Sequence, residues 1–300
     1  MVTSTENPQQ SRQDKNRVAL ISVMAAVLLT VTKLAVGLAT GSLGILSEAA
    51  HSGLDLIAAV ITLFAVRISS APPDDQHTYG HGKVENLSAM VETGLLLLTC
   101  IWIIYEAIQR LFFKSVEVEA SGWAFGIMVL SIVVDFNRSR ALSKAARKYK
   151  SQALEADALH FSTDIWSSAV VILGLLLVRL SDYLNIPAIA QADAIAALVV
   201  AGIVVFVSLQ LGRRTIAGLM DEIPVGLRDE IVDAVEQVGG VKRVNHVRVR
   251  WSGADAYVDL EITASKELSF EESHEISDKA EIAVQNTIPD AEISVHVEPA

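Results

Sequence analysis

Residues 43–68 read LGILSEAAHSGLDLIAAVITLFAVRI. This stretch is largely apolar, and about 20 such residues are enough to cross the core of a bilayer as a helix. Two ionisable side chains, His51 and Asp55, lie near its middle, and Glu48 and Arg67 lie toward its ends. Because polar and charged groups are expensive in lipid, the stretch predicts a transmembrane helix that carries a functional site.

Five more apolar segments accompany this one, so the sequence predicts six transmembrane helices. They run roughly Val18–Leu38, Leu87–Leu111, Ser121–Leu142, Ala153–Leu180 and Ile189–Leu211. The composition agrees, since the 300 residues are 51% hydrophobic and only 20% charged, against about 25% charged in ordinary soluble domains. The mean hydropathy of +0.41 argues against a disordered chain and against a simple cytosolic enzyme.

Charge divides the chain into a membrane part and a soluble part. Residues 1–212 carry a net charge of −2 and residues 213–300 one of −9. We therefore expect a polar cytoplasmic tail at 1–16, a six-helix transmembrane domain at 17–212 and a cytoplasmic α+β domain at 213–300. In that last domain, helical spacing at 225–238 and 270–287 and alternation at 246–251, 256–262 and 292–297 predict the order α-β-β-α-β. The fold class is a polytopic α-helical membrane protein with a C-terminal α+β domain.

The charges and the cysteine content limit the possible topology, partners and disulfide bonds. Thirteen Lys or Arg residues flank the predicted spans on one side and three on the other, which predicts that both termini are cytoplasmic. The overall charge of −11 argues against nucleic acid as a partner. The single cysteine, Cys100, excludes an intrachain disulfide and a four-cysteine zinc site. A signal peptide fits poorly, because the first 16 residues are polar and the first apolar run is long.

Two predicted membrane helices carry the same H-x-x-x-D motif. It consists of His51 and Asp55 in the second span and of His160 and Asp164 in the fifth. A spacing of four places both side chains of a motif on one helix face. Two such faces opposed would supply two imidazoles and two carboxylates, a four-ligand set that suits Zn²⁺. The two negative charges would balance a divalent ion, and protons would compete with the metal for the same atoms.

Two further clusters are candidate metal sites. Asp74, His77 and His81 lie within eight residues of the loop after the second span, and the alternative is a polar loop with incidental histidines. The tail contains His246, His274 and His296, with Asp259, Glu261 and Glu298 near them in the strand pattern. The alternative for the tail is a scatter of surface histidines.

Other charged residues in the predicted spans have two interpretations. Lys33, Glu48, Glu92 and Asp135 would form interhelical pairs or line a water-filled vestibule. Asp157 lies one turn before His160 on the predicted cytoplasmic side. It would either line the path by which an ion enters or mark the helix–water boundary.

The motifs and their context resemble the cation diffusion facilitator family. The resemblance rests on SEAAHSGLD at 47–55, PDDQHTYGHGKVE at 73–85 and EADALHFSTD at 155–164. With six spans and an α-β-β-α-β tail, it extends from about Arg17 to Glu298. It implies a homodimeric exporter of divalent metal ions that exchanges them for protons by alternating access. It does not imply an enzyme or a catalytic cofactor.

The resemblance also implies roles for particular residues. His51, Asp55, His160 and Asp164 would form the transport site, and this ligand set is typical of zinc carriers, whereas D-x-x-x-D on both helices tends toward manganese. Carriage of iron, manganese, cadmium, cobalt or nickel ions is the alternative. Asp74, His77 and His81 would form a loop site. The tail would be a metallochaperone-like domain that dimerises and binds regulatory Zn²⁺ through His246, Asp259, His274, His296 and Glu298. Lys83 and Asp221 would connect the membrane part to the tail, and the plasma (inner) membrane would be the location.

Two functions from other classes also deserve comparison. An intramembrane metallohydrolase would need an open coordination position, which four protein ligands close, and neither H-E-x-x-H nor G-x-S-x-G occurs in the sequence. A metal-sensing receptor would leave the four intramembrane ligands without a task. Both are less consistent with the sequence than a carrier.

Overall fold

The computed structural model describes residues 8–41, 43–112, 122–184 and 192–300. Six long helices come first, followed by a small α/β region. The helices are α1 (Pro8–Thr40), α2 (Leu43–Ser69), α3 (Lys83–Phe112), α4 (Gly122–Tyr149), α5 (Gln152–Leu184) and α6 (Ala192–Leu219). The remaining elements are α7 (Leu227–Glu236), β1 (Arg243–Ser252), β2 (Asp255–Ala264), α8 (Phe270–Thr287) and β3 (Glu292–Pro299).

The long helices coincide with the predicted apolar segments. Ser121 and residues 189–191, which began the fourth and sixth segments, lie outside the described residues. Four stretches in the described residues are long and apolar enough to cross a membrane: Gln10–Thr40, Glu48–Ser69, Lys83–Gln109 and Leu198–Leu219. The apolar run of α4 ends at Asp135 and is followed by Arg138 and four further Lys or Arg residues, so its sequence gives a weaker hydropathy signal.

Most of the long helices form one compact unit, which contains the described residues up to 70 and between 84 and 215. Its largest core joins α1, α2, α4 and α5, and eight of its thirteen buried members are alanines. Small side chains let helix backbones approach closely, as in membrane proteins. Large apolar side chains on the outside, among them Leu28, Trp102 and Phe206, are more than 60% exposed. This pattern suits contact with lipid.

The second compact unit contains residues 71–83 and 216–300. Its sheet has the order β1-β2-β3, with β1 antiparallel to β2 and β2 parallel to β3. The predicted order α-β-β-α-β is confirmed. One sheet face packs on α7 and α8 through residues such as Ile231, Leu260, Ile262 and Val284. A bulge between Val244 and His246 interrupts the alternation, so β1 begins earlier than its pattern predicts.

Helix α8 begins at a capping box. The Ser269 hydroxyl accepts a hydrogen bond from the Glu272 backbone N–H at 3.2 Å, and the Glu272 carboxylate accepts one from the Ser269 backbone N–H at 2.8 Å. This reciprocal pair satisfies two donors that a helix start leaves free. The bond from the Ser269 backbone N–H lowers the pKa of Glu272.

The loop at 71–83 clusters with the tail, whereas the expected boundaries assigned it to the transmembrane domain. The Tyr79 ring lies 3.3 Å below the Arg250 guanidinium and meets the Tyr257 ring edge-on at 5.0 Å. Gly82 lies so close to Ser252 that a Cβ on the glycine would overlap its backbone. The loop therefore packs on the turn between β1 and β2.

Candidate metal centres

Helices α2 and α5 bring the four predicted intramembrane ligands together. His160 Nε2 lies 3.2 Å from Asp55 Oδ1 and 3.7 Å from Asp164 Oδ2. His51 Nε2 lies 3.7 Å from Asp164 Oδ1 and 4.0 Å from Asp55 Oδ1. The two residues of each motif are four positions apart on their helix, so their side chains project from one face. We call these four residues the quartet.

The spacing of the quartet is close to what a tetrahedral ion requires. Bonds of about 2.0–2.1 Å from Zn²⁺ to nitrogen or oxygen place neighbouring ligand atoms about 3.3–3.4 Å apart. The four imidazole–carboxylate separations of 3.2–4.0 Å include that value, and ligand atoms of His51, Asp55 and Asp164 lie within 4.8 Å of one another. The His160 side chain is 6% exposed and the two aspartates are 11–12% exposed, whereas His51 is 37% exposed. The quartet is therefore most accessible at His51.

Polar contacts from α1 hold α2 in position beside the quartet. Lys33 Nζ donates to Ser52 Oγ at 2.8 Å and pairs with Glu48 at 3.2 Å. Thr30 Oγ1 donates to the Ser52 backbone carbonyl at 2.9 Å. These contacts fall on the helical turns around His51. Of the two interpretations for Lys33 and Glu48, their geometry is that of an interhelical pair.

The predicted loop ligands also lie together, but on the surface. Asp74 Oδ1 lies 3.1 Å from His77 Nδ1, and Asp74 Oδ2 lies 3.3 Å from His81 Nε2. Asp74 and His77 are about half exposed, whereas His81 is 15% exposed. The His77 backbone N–H donates to Asp74 at 2.6 Å and lowers the pKa of that carboxyl. Three protein ligands leave a fourth position for water or another ligand.

The predicted Lys83–Asp221 contact forms at two helix ends. Lys83 Nζ lies 2.9 Å from Asp221 Oδ1, and both side chains are 40% exposed. Asp221 follows the end of α6 with a left-handed backbone, φ 57°. The Glu222 N–H bonds to the Ala217 carbonyl and the Asp221 N–H to the Gly218 carbonyl, which is a Schellman motif. The carboxylate is thus presented by a position that usually holds glycine.

The five predicted tail ligands do not form one cluster in this chain. Among residues 8–41, 43–112, 122–184 and 192–300, groups of three potential ligand atoms within 4.8 Å occur only in the quartet and the loop. His246 and His296 both lie beside Glu261 across the sheet. Asp259 and Glu298 are on strands of the same sheet, whereas His274 is exposed on α8. Since α8 covers the opposite sheet face, His274 cannot join His246 within one copy.

Sequence reasoning missed the residues that hold the loop on the tail. Arg250, Tyr79 and Tyr257 gave no motif, because an arginine stacked on a tyrosine ring depends on a contact between distant segments. The position of Glu261 between two histidines could have been found from the alternation of β1, β2 and β3 together with their pairing. Glu261 lies near the tail histidines in the strand pattern, but that pattern alone does not mark it as a ligand.

Comparison with known proteins defines the class. The family profile described as the cation efflux transmembrane domain matches residues 19–220, and that of the cation efflux protein cytoplasmic domain matches residues 224–300. The chain therefore belongs to the cation efflux, or cation diffusion facilitator, family and is an integral membrane protein of that class. The resemblance inferred from the sequence is confirmed.

Similar individual proteins include the cation-efflux pump FieF from Salmonella paratyphi A and from Salmonella agona. Each is 28% identical to this chain over 285 residues, covering 95% of this chain and 92% of the relative. Among solved structures, the tail is similar to a cadmium form of a MamM C-terminal domain variant, at 33% identity over 25% of this chain and 94% of that chain, with a TM-score of 0.24. A nickel form of a MamM variant matches at 32% identity, 25% and 96% coverage, and a TM-score of 0.24.

Proposed function

We propose that this protein exports divalent metal ions, most favourably Zn²⁺, in exchange for protons. The observation that carries the proposal is the quartet of His51, Asp55, His160 and Asp164 on two membrane helices, in which each imidazole lies 3.2–4.0 Å from both aspartates. The matched family is one of cation efflux proteins. A site with two imidazoles and two carboxylates suits Zn²⁺ better than harder cations.

Proton exchange follows from the chemistry of the ligands. Imidazole nitrogen and carboxylate oxygen bind metal only when they are deprotonated, so loading the quartet releases protons. The ion carries two positive charges and the two aspartates two negative charges, so the occupied quartet is neutral. Protons arriving from the opposite side would then displace the ion and neutralise the empty site. Calorimetry in buffers of different ionisation enthalpy should reveal proton release on zinc binding.

Alternating access requires the quartet to open toward each side in turn. With both termini cytoplasmic, as the loop charges predict, His51 and Asp164 lie nearer the outside, while Asp55 and His160 lie nearer the cytoplasm. The greater exposure of His51, 37% against 6% for His160, supports an outward-facing arrangement. The inner membrane is the proposed location, and a homodimer joined through the tail is the proposed assembly. His246, Asp259, His274, His296 and Glu298 would then bind regulatory metal between two copies.

Transport into liposomes tests the proposal directly. Purified protein is reconstituted with an internal zinc dye and an imposed pH gradient, and zinc uptake is recorded. Asp55→Ala and Asp164→Ala should abolish uptake, and Asp74→Ala, which removes a carboxylate from the exposed loop, is the matched control. Wild-type rates in both quartet variants would refute the proposal. His51→Asp together with His160→Asp should shift preference from zinc toward manganese, because the site then offers only oxygen ligands.

A further inference from the structure

Two carboxylates buried beside the quartet have no assigned role. Glu92 on α3 and Asp157 on α5 are both 0% exposed. Burial of a charged carboxylate is unfavourable unless a cation or several hydrogen bonds compensate it. The contacts of each carboxylate therefore determine whether its burial is already compensated.

Glu92 is oriented by hydroxyl groups but is not neutralised by them. Thr62 Oγ1 donates to Glu92 Oε1, and Ser88 Oγ lies 3.5 Å from the same oxygen. Glu92 Oε2 is buried and has no hydrogen-bond partner among the described residues. Neutral hydroxyls can fix the direction of the carboxylate, but they do not balance its negative charge when it is ionised.

Asp157 is in a similar position. Ser22 Oγ donates to Asp157 Oδ2 at 3.3 Å, while Oδ1 is buried without a hydrogen-bond partner in the described part of the chain. Arg138 attracts Asp157 electrostatically and donates to Ser22 at 3.1 Å, but its ion pair is with Asp135 at 3.0 Å. One arginine cannot fully balance two ionised aspartates.

The two carboxylates face the same region. Their charges repel each other, and Glu92 also interacts electrostatically with His160. Ala89, one turn before Glu92, packs in a buried cluster with Ala156, which adjoins Asp157. Small residues therefore form this contact between α3 and α5. Asp157 precedes His160 by one helical turn, about 4.5 Å along the axis.

We propose that Glu92 and Asp157 form a second divalent-cation site, made only of oxygen ligands, from which the ion passes to the quartet. The proposal rests on the function proposed above. Two carboxylates match the charge of a divalent ion, and each contributes an oxygen that has no hydrogen-bond partner among the described residues. Carboxylate ligands hold Zn²⁺ less firmly than a set that includes imidazoles. An ion at this site would therefore move on to the quartet, and the predicted orientation places the site on the cytoplasmic side.

Transport kinetics of the full-length protein in liposomes test this site, with Zn²⁺ alone as the probe. Glu92→Gln and Asp157→Asn keep the side-chain size and remove one charge each. We expect the KM for Zn²⁺ to rise about tenfold or more, while kcat stays within about twofold because the quartet is intact. Glu85→Gln is the matched control, since Glu85 is buried on the same helix but is paired with Lys15 at 3.1 Å. Its KM should equal that of the wild type.

A wild-type KM in Glu92→Gln and Asp157→Asn would overturn the proposal. So would an equal rise in Glu85→Gln, which would indicate a general effect of lost charge, or a fall in kcat alone, which would indicate packing or proton handling. If Glu92→Gln does not fold, Thr62→Val removes only the hydroxyl that orients Glu92 and should raise the KM less. Asp164→Ala in the same assay separates the two proposals: if it still transports zinc, the proposed function fails whatever Glu92 does.

Discussion

The quartet and the loop cluster use the same ligand types but are built in opposite ways. Asp55 and His160 of the quartet are 105 residues apart in sequence, so their approach depends on the packing of two buried helices. Asp74, His77 and His81 lie within eight residues on an exposed loop. A small movement of one helix would take the quartet apart, whereas the loop cluster can persist through such a movement. We therefore expect the quartet to bind the transported ion and the loop cluster to sense metal.

The largest effect should separate the two clusters by transport rate. Loss of a direct ligand should exceed the 10–100-fold cost that is typical of removing a group behind a ligand. Asp164→Ala should therefore reduce zinc uptake by more than about 100-fold. Asp74→Ala should reduce it by less than about tenfold. Initial rates in liposomes check both, and equal losses would remove the distinction between transport and sensing.

The next largest effect should come from the contact that holds the loop on the tail. In Gly82→Ala the new methyl group would overlap the Ser252 backbone, and such overpacking costs about 1–3 kcal/mol. Gly239→Ala is the matched control, because a Cβ there meets nothing within 4 Å. Thermal unfolding of the full chain should show the lower stability in Gly82→Ala only. Zinc binding by the loop should weaken with it, and unchanged binding would mean that the loop does not depend on its docking.

A smaller effect should appear at the cap of α8, far from either cluster. Ser269→Ala removes the hydroxyl of the capping box and should cost about 1 kcal/mol of stability. The lowered pKa of Glu272 means that its contribution is present above the ordinary pKa of a glutamate and is lost as the pH falls through the lowered value. The Ser269 hydroxyl donates to this carboxylate at 2.8 Å, whereas the backbone N–H bond persists in Ser269→Ala. Unfolding measured between neutral and acidic pH should therefore show the difference between variant and wild type shrinking only in part in acid. Ser294→Ala on exposed β3 should change little, and a reduced transport rate in Ser269→Ala would mean that the tail's stability governs the quartet.

The smallest effect should come from the Lys83–Asp221 pair. Both side chains are 40% exposed, and surface pairs of this kind contribute about 0–1 kcal/mol. Asp221→Asn keeps a residue that tolerates the left-handed backbone and removes the charge, so it isolates the ion pair. Its unfolding temperature should fall slightly, and less at high salt. A large salt-independent loss would indicate that the carboxylate, rather than the charge pair, holds the turn.

Most of the fold could be predicted because membrane helices and alternating strands leave strong patterns. The order of the tail elements and the apolar segments followed from periodicity alone. The weak point was α4, where Asp135 and Arg138 interrupt the apolar run. The bulge at Asn245 also shifted the start of β1, since one extra residue breaks the period of two.

The candidate sites were predictable to different degrees. His51, Asp55, His160 and Asp164 could be paired because two identical motifs at helical spacing imply two facing helix surfaces. The packing of loop 71–83 on the tail could not be predicted, because the contact of Arg250 with Tyr79 joins two segments that no sequence motif connects. The unpartnered oxygens of Glu92 and Asp157 likewise become visible only when neighbouring helices are in place.

The central claim is that the quartet binds the transported ion, and X-ray absorption at the zinc edge tests it most directly. The sample is the full chain with His77, His81 and the tail histidines His246, His274 and His296 replaced by alanine, so that only the two quartet histidines remain. We predict one tightly held zinc per chain, with four nitrogen or oxygen ligands at about 2.0–2.1 Å and a clear imidazole contribution. Loss of all bound zinc, or a six-coordinate hydrated ion without imidazole, would contradict the account.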